Sequence, residues 1–301
     1  MNTPSVSSSF IGSRRGRLAG RHAVVTGATS GIGRGTAQVM AEEGCEICVV
    51  GRSIERGAGT VDAIHAKDGR ATFLECDVSD HAQVARMVER AVRVMGTLDT
   101  LVNCAGIGIY RDVVEFPVED LDRVLATNLR GTMLVTKHAI PHIEAAGGGA
   151  IVNVSSVHSL EAAPSDAAYA TTKAGIDAFT RACAIDFAPL VRANSVQPGW
   201  IESTLTARLF DELAPDGKDG DVTRAAIASE QPARRIGTPE DVGRVVAFLA
   251  SDEAAFVTGA SLAVDGGLTA LLERWTPEKV RRIAEATRTA KAARAPPGAV
   301  N

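Results

Sequence analysis

Short apolar runs rich in valine and isoleucine recur along the chain, and segments with helical spacing separate them. The runs cover residues 22–26, 47–50, 100–102, 150–154 and 191–196. Strands that alternate with helices pair in parallel, because each helical connection returns the chain to the same end of the sheet. The pattern therefore predicts a single α/β domain, a doubly wound parallel sheet with helices on both faces.

A glycine-rich turn follows the first apolar run and leads into a helical pattern. The turn reads Gly27-Ala28-Thr29-Ser30-Gly31-Ile32-Gly33, with the spacing G-x-x-x-G-x-G. Glycines adopt backbone dihedrals that other residues avoid, and they let a pyrophosphate approach the amides at a helix N-terminus. We therefore expect a dinucleotide-phosphate site here, although the commoner spacing is G-x-G-x-x-G.

Tyr169 and Lys173 form the second informative pattern, with Ser156 thirteen residues before the tyrosine. A spacing of four places the phenol and the ammonium on one helix face, one turn apart. An unperturbed tyrosine titrates at about 10, and a nearby positive charge lowers that pKa. The pattern indicates a proton-transfer group, to which Ser156 adds a hydrogen bond to the reacting oxygen.

At these positions the chain resembles the classical short-chain dehydrogenases/reductases. Matching motifs follow in family order: Asn103-Cys104-Ala105-Gly106, Asn128, Pro198-Gly199 and Val264-Asp265-Gly266-Gly267. The resemblance covers about residues 20–270. It implies a Rossmann fold, an enzyme that interconverts a ketone and a secondary alcohol by hydride transfer, and a homo-oligomer, a tetramer or a dimer.

The resemblance also implies roles for single residues. Tyr169 exchanges a proton with the substrate, Ser156 steadies the substrate oxygen, Lys173 binds the nicotinamide ribose and lowers the tyrosine pKa, and Asn128 anchors a water. Ser155 is the alternative serine, with a packing role. The implied dinucleotide contacts are Gly27, Thr29, Ser30, Gly31, Ile32, Gly33, Arg52, Asp77, Val78, Asn103, Ala105, Gly106, Tyr169, Lys173, Pro198, Gly199, Ile201, Ser203 and Thr204. Of these, Asp77 and Val78 are expected beside the adenine and residues 103–106 along the adenosine.

The end of the second strand bears on the choice of dinucleotide. An acid there accepts hydrogen bonds from the ribose and repels a 2′-phosphate, and here the position is Gly51, followed by Arg52. A guanidinium pairs a phosphate through two parallel hydrogen bonds. We therefore predict NADP(H), with NAD(H) as the alternative if Arg52 only begins the next helix in solvent.

A lid over the active site is predicted at about residues 200–231. Leu205, Leu209 and Leu213 recur there at helical spacing, and such a lid excludes water during hydride transfer. Its apolar face suggests a moderately hydrophobic ketone or alcohol as the small-molecule substrate. The candidate substrate contacts are Ile109, His158, Trp200 and Leu209.

Composition limits where such a chain works. It is 45% hydrophobic, and no apolar run is long enough to cross a bilayer, so we expect no membrane partner. The five cysteines are scattered, which favours a reducing compartment and a cytoplasmic location. Cys45 and Cys48 have C-x-x-C spacing but no second ligand pair, so we expect no metal.

Both ends of the chain are basic, whereas its body is acidic. Residues 1–21 hold four arginines and no acids, and residues 274–301 hold seven basic and two acidic side chains. We predict a flexible arm over residues 1–19 and a helical extension over residues 271–301. Because an acidic body repels phosphate, we expect no nucleic-acid partner.

Three other functions fit parts of this pattern. A 3-oxoacyl thioester reductase and an NAD-dependent sugar or steroid dehydrogenase use the same fold and residues. A non-catalytic dinucleotide-binding regulator is the more distant alternative, and it would be expected to have lost part of the set Asn128, Ser156, Tyr169 and Lys173. All four are present.

Overall fold

The computed structural model of the chain describes residues 16–214 and 220–271. Within them, seven parallel strands form one sheet with the order β3-β2-β1-β4-β5-β6-β7. The strands are β1 (His22–Thr26), β2 (Glu46–Gly51), β3 (Arg70–Glu75), β4 (Thr100–Asn103), β5 (Gly149–Val154), β6 (Val191–Pro198) and β7 (Ser261–Val264). The predicted fold class is confirmed. The strand order reverses between β1 and β4, and parallel sheets bind ligands beyond the carboxyl ends of their strands at such a point.

Helices cover both faces of the sheet. They are α1 (Gly31–Glu42), α2 (Ile54–His65), α3 (His81–Met95), α4 (Val118–Val124), α5 (Gly131–Ala145), α6 (Ala167–Asp186), α7 (Thr204–Leu213), α8 (Gly220–Glu230) and α9 (Pro239–Ala250). A π-helical turn, Leu125–Arg130, joins α4 to α5. In the part of the chain that the structure covers, no helix is long and apolar enough to cross a membrane.

Two apolar cores lie on opposite faces of the sheet. Val25 of β1 packs with α1 and α9 on one face, and Val24 packs with α3, α5 and α6 on the other. Successive strand side chains point to opposite faces, so a strand that is buried on both sides reads as an uninterrupted apolar run. This explains why the apolar runs located five of the seven described strands, whereas β3 and β7, which are less buried, were not predicted.

The ordered domain begins before residue 20. Leu18 is fully buried in the core, and its N–H donates to Glu43 O at 3.0 Å. The boundary of the predicted N-terminal arm is therefore wrong over residues 16–19. The rest of the arm, and the predicted C-terminal helix beyond Leu271, lie outside the described residues.

Candidate active site

The glycine-rich turn ends at the first turn of α1, where the helix amides face a cleft. Ser30 is the N-cap, but its side chain makes no capping hydrogen bond, so these amides remain available to an anion. Gly27 and Gly31 have φ of 68° and 49°. A Cβ on Gly33 would lie 2.4 Å from Gly27 O. The turn therefore has the amides, the close backbone approach and the helix dipole that a dinucleotide phosphate requires.

The loop after β4 forms the opposite wall of the cleft, and Thr26 holds it in place. The Thr26 hydroxyl accepts hydrogen bonds from the N–H groups of Cys104 at 3.0 Å and Ala105 at 3.2 Å. Ala105 and Gly106 line the cleft, as predicted. Asn103 does not, and this prediction needs correction.

Asn103 is buried below the cleft floor. Its amide nitrogen donates to Thr136 Oγ1 at 3.0 Å and to Asn153 Oδ1 at 2.9 Å. The side chain at this strand end points into the helix layer and not towards solvent. Asn103 therefore ties β4 to β5 and α5 and does not line the adenosine side.

The carboxyl end of β2 forms a charged end of the cleft. Arg52 Nη1 lies 3.7 Å from Asp77 Oδ2, and Arg56, in the first turn of α2, lines the same space. Partial burial raises the pKa of Asp77, but hydrogen bonds from Ser79 and the charge of Arg52 outweigh it, so the pKa is lowered. This end therefore carries two guanidinium groups and one ionised carboxylate.

Ser156, Tyr169 and Lys173 line the other end of the same cleft. Ser156 follows β5, whereas Tyr169 and Lys173 lie one turn apart on α6. The Lys173 ammonium is 5.4 Å from the centre of the Tyr169 ring, and it donates to Val154 O at 2.9 Å. The Ser155 hydroxyl donates to Lys173 O at 2.9 Å. This contact gives Ser155 a structural role, in keeping with the packing role expected from the sequence.

Burial determines the ionisation of both groups on α6. It raises the pKa of Tyr169, while a hydrogen bond with Ser156 acts in the opposite direction. Burial lowers the pKa of Lys173 to about 8. The net pKa of Tyr169 is therefore raised in the protein alone and not lowered as expected, because desolvation of the phenoxide dominates. At neutral pH, Tyr169 is a phenol and can donate a proton.

Asn128 lies behind the cleft and not in its wall. It is fully buried on the π-helical turn, where it bonds both backbone groups of Ile107. Its Oδ1 accepts from Ile107 N at 2.8 Å, and its Nδ2 donates to Ile107 O at 2.9 Å and to Thr172 Oγ1 at 3.2 Å. Asn128 thus connects the β4 loop to α6 beside Lys173.

Two aromatic rings pack on Tyr169. Its ring centre is 5.9 Å from that of Tyr110 and 5.7 Å from that of His158, which it meets edge-on. Asp166 is buried and contacts His158 Nδ1 through Oδ2. This carboxylate fixes the orientation of a histidine that packs on the tyrosine.

The remaining predicted site residues divide into two groups. The other predicted dinucleotide contacts line the cleft, namely Thr29, Ile32, Val78, Pro198, Gly199, Ile201, Ser203 and Thr204. The Ser203 hydroxyl caps α7 by accepting from Thr206 N at 3.1 Å, whereas Thr204 is exposed. None of the four predicted substrate contacts, Ile109, His158, Trp200 and Leu209, lies in the cleft wall, and Trp200 packs on Phe210.

Two side chains at or beside the candidate site, those of Arg56 and Asp166, were not predicted from the sequence. Arg56 could have been found, because Ser53 is a strong helix cap and its hydroxyl accepts from Arg56 N, which places Arg56 in the first turn of α2. Asp166 gave no signal in the sequence. Its pairing with His158 depends on the path of the loop between β5 and α6.

Comparison with known proteins agrees with this geometry. A family model described as enoyl-(acyl carrier protein) reductase matches residues 27–269. The cis-4-hydroxycyclohexanecarboxylate dehydrogenase of Sinomonas cyclohexanicum is 41% identical over 84% of this chain and 98% of its own length. The cyclopentanol dehydrogenase of Comamonas sp. (strain NCIMB 9872) is 36% identical over 85% and 99%.

A solved structure has a similar fold. The aldohexose dehydrogenase of Thermoplasma acidophilum superposes with a TM-score of 0.78 at 34% identity, over 86% of this chain and 98% of its own. The fold, the cleft and these relatives agree. The chain therefore belongs to the classical short-chain dehydrogenase/reductase family, oxidoreductases that bind NAD(P) and act on CH–OH groups.

Proposed function

We propose that this protein is an NADP(H)-dependent dehydrogenase that interconverts an alicyclic ketone and the corresponding secondary alcohol. The observation that carries the proposal is one continuous cleft, which has Ser156, Tyr169 and Lys173 at one end and Arg52 and Arg56 at the other. The glycine turn lies in the same cleft. A bound dinucleotide would supply or accept the hydride at the end that holds the tyrosine.

The side chains of the protein control the proton and the oxygen in this reaction. In the reducing direction, Tyr169 donates its phenolic proton to the developing alkoxide, and Ser156 hydrogen-bonds the same oxygen. Lys173 is the cation nearest to the phenoxide that this leaves, since its ammonium lies 5.4 Å from the ring centre. In the oxidising direction, the phenoxide takes the proton from the alcohol.

The preference for NADP(H) rests on the end of β2. A Cβ on Gly51 would lie 2.6 Å from Thr29 Cγ2, so this backbone has no room for the acid that repels a 2′-phosphate. The side chain of Arg52 is 69% exposed and loosely paired at 3.7 Å, which leaves its other donors available. Arg56 adds a second cation, and two guanidinium groups suit a phosphate dianion.

The alicyclic substrate is supported by the relatives and by the surroundings of Tyr169. Two of the relatives are named for alcohols on five- and six-membered carbon rings. The rings of Tyr110 and His158 both pack on the catalytic phenol, and apolar aromatic surroundings of this kind suit a small apolar ring. His158 offers a polar contact to a substituent on that ring.

A substrate panel tests the proposal through the absorbance of the reduced dinucleotide. Cyclohexanone, cyclopentanone and 4-oxocyclohexanecarboxylate are expected to react faster than an aldohexose or a 3-oxoacyl thioester. Tyr169→Phe is expected to remove turnover and keep dinucleotide binding, because only the proton donor is lost. Preference for the sugar or the thioester would replace the proposed substrate class, and turnover by Tyr169→Phe near the wild-type rate would refute the mechanism.

The choice of dinucleotide has a separate test. Arg52→Asp is expected to weaken NADP(H) binding by about 10- to 100-fold, because a charge-assisted hydrogen bond contributes about 1.5–3 kcal/mol. Arg90→Asp is the matched control, since Arg90 is exposed on α3 and does not line the cleft. A wild-type protein that binds NAD(H) more tightly than NADP(H) would refute this part of the proposal.

A further inference from the structure

Asp177 is a buried carboxylate that the proposed chemistry does not use. It lies on α6 one turn beyond Lys173 and is 5% exposed. Its Oδ1 accepts from the Ser195 hydroxyl at 2.7 Å, and its Oδ2 accepts from the Gln197 amide at 2.7 Å. Burying a charge is costly unless hydrogen bonds compensate for it, so a carboxylate here is expected to have a function.

Gln197 extends this network to the catalytic serine. Its Nε2 also donates to Ser159 Oγ at 2.9 Å, so both amide hydrogens are used. The Ser159 hydroxyl in turn donates to the backbone carbonyl of Ser156 at 2.8 Å. A chain of three hydrogen bonds therefore runs from the Asp177 side chain to the backbone carbonyl of Ser156.

The geometry makes this chain a rigid support. Asp177 lies on α6, Gln197 on β6 and Ser159 on the turn after β5, so three separate elements are joined. Gln197 is 3% exposed, and a buried polar network with satisfied donors fixes the position of its members. A second bond, from Ser155 Oγ to Lys173 O, holds the same turn on its other side.

We propose that Asp177 and Gln197 are positioning residues that hold Ser156 against the substrate oxygen. This inference rests on the proposed function, because it gives both residues a role in the same reaction. Neither side chain lines the cleft, so both act through Ser159 and the Ser156 backbone. Their removal is expected to lower kcat without weakening dinucleotide binding.

Asp177 has a second effect that a purely structural residue would lack. Three titratable groups act on or lie beside the Lys173 ammonium: Tyr169 and Asp177 from α6, and Cys104 from the loop after β4. Burial lowers the pKa of Lys173, while Cys104 and Asp177 raise it. Removing the Asp177 charge therefore lowers the pH at which Lys173 loses its proton.

Two variants test the proposal with complementary readouts. Gln197→Met keeps the side-chain length and removes both donors, and Asp177→Asn keeps the shape and removes the charge. Each is expected to lower kcat by at least about tenfold, since a misplacement of about 1 Å can cost about 100-fold. Dissociation constants for the dinucleotide, measured by fluorescence titration near neutral pH, are expected to stay within about twofold. In Asp177→Asn alone, the basic limb of the pH profile of kcat is also expected to move to lower pH, because Lys173 then loses its proton at a lower pH.

The matched control is Thr180→Val. Thr180 is also buried on α6, and its hydroxyl bonds Ile176 O and the Asn153 amide, outside the network. This variant is expected to keep kcat within about twofold, as for a site with no shared partner. The proposal is overturned if folded Gln197→Met and Asp177→Asn keep the wild-type kcat, or if Thr180→Val loses as much.

A structural readout separates this inference from the proposed function. If the wild-type protein turns over none of the ketones, the proposed function fails, and a crystal structure of Gln197→Met then decides the inference. Displacement of Ser156 from Tyr169 in that structure, relative to the wild-type protein, would support positioning. An unchanged Ser156 would overturn it.

Discussion

Replacement of Lys173 by methionine is expected to stabilise the folded protein while removing its activity. Methionine has nearly the same length as lysine and carries no charge, so the buried site stays filled. Burial lowers the pKa of Lys173 from 10.5 to about 8. At about 1.4 kcal/mol per pKa unit, this shift means that the ammonium costs the folded state on the order of 3 kcal/mol at neutral pH.

The sign of the pH dependence follows from the same shift. Because the pKa of Lys173 is lower in the folded protein, the unfolded chain binds more protons between about pH 8 and about pH 10.5. The free energy of unfolding of the wild-type protein therefore rises through this window relative to the variant. The advantage of Lys173→Met is expected to be about 3 kcal/mol near pH 7 and about 1.5 kcal/mol near pH 9.5.

Urea unfolding of both proteins at the two pH values measures this difference without dinucleotide. Lys137→Met is the control, because Lys137 is exposed on α5 and its charge is not buried. It is expected to change the free energy of unfolding by less than about 0.5 kcal/mol at both pH values. A Lys173→Met protein that is less stable than the wild type at neutral pH, with a deficit independent of pH, would refute the reasoning.

Three further predictions concern single contacts. Gly33→Ala places a Cβ 2.4 Å from Gly27 O and is expected to weaken dinucleotide binding in a fluorescence titration, whereas Gly59→Ala, with nothing within 4 Å, is expected to leave it unchanged. Asn128→Ala removes the hydrogen-bond partner of both backbone groups of Ile107. It is expected to lower the free energy of unfolding, measured in urea, by about 2–4 kcal/mol. Asp166→Asn removes the charge beside His158. Because that charge raises the pKa of Tyr169, the variant is expected to have a lower Tyr169 pKa, measured by ultraviolet titration of the phenol.

The sequence predicted the sheet and most of the cleft, because both depend on local patterns. Strands buried on two faces must be apolar throughout. At position 33, a Cβ would lie only 2.4 Å from Gly27 O, so glycine is strongly favoured there. Such requirements leave a signal at fixed positions in the chain. The spacing of Tyr169 and Lys173 belongs to the same class, since helix geometry alone brings them together.

The features that the sequence did not predict depend on distant parts of the chain. Asn103 points below the cleft because Thr136 and Asn153, on two other elements, supply its partners. The raised pKa of Tyr169 comes mainly from burial, and burial cannot be read from a spacing. The pairing of Asp166 with His158 likewise requires the path of a loop.

The contact between Gly51 and Thr29 limits the routes by which dinucleotide preference can change. An acid introduced at position 51 in the present protein collides with both Thr29 Cγ2 and Thr29 Oγ1, at 2.6 and 3.1 Å from the new Cβ. Thr29→Ala removes both atoms and opens the space. We therefore expect an acid at position 51 to be accommodated more readily after Thr29→Ala than before it, and a library that varies both positions to recover the acidic side chain more often than one that varies Gly51 alone.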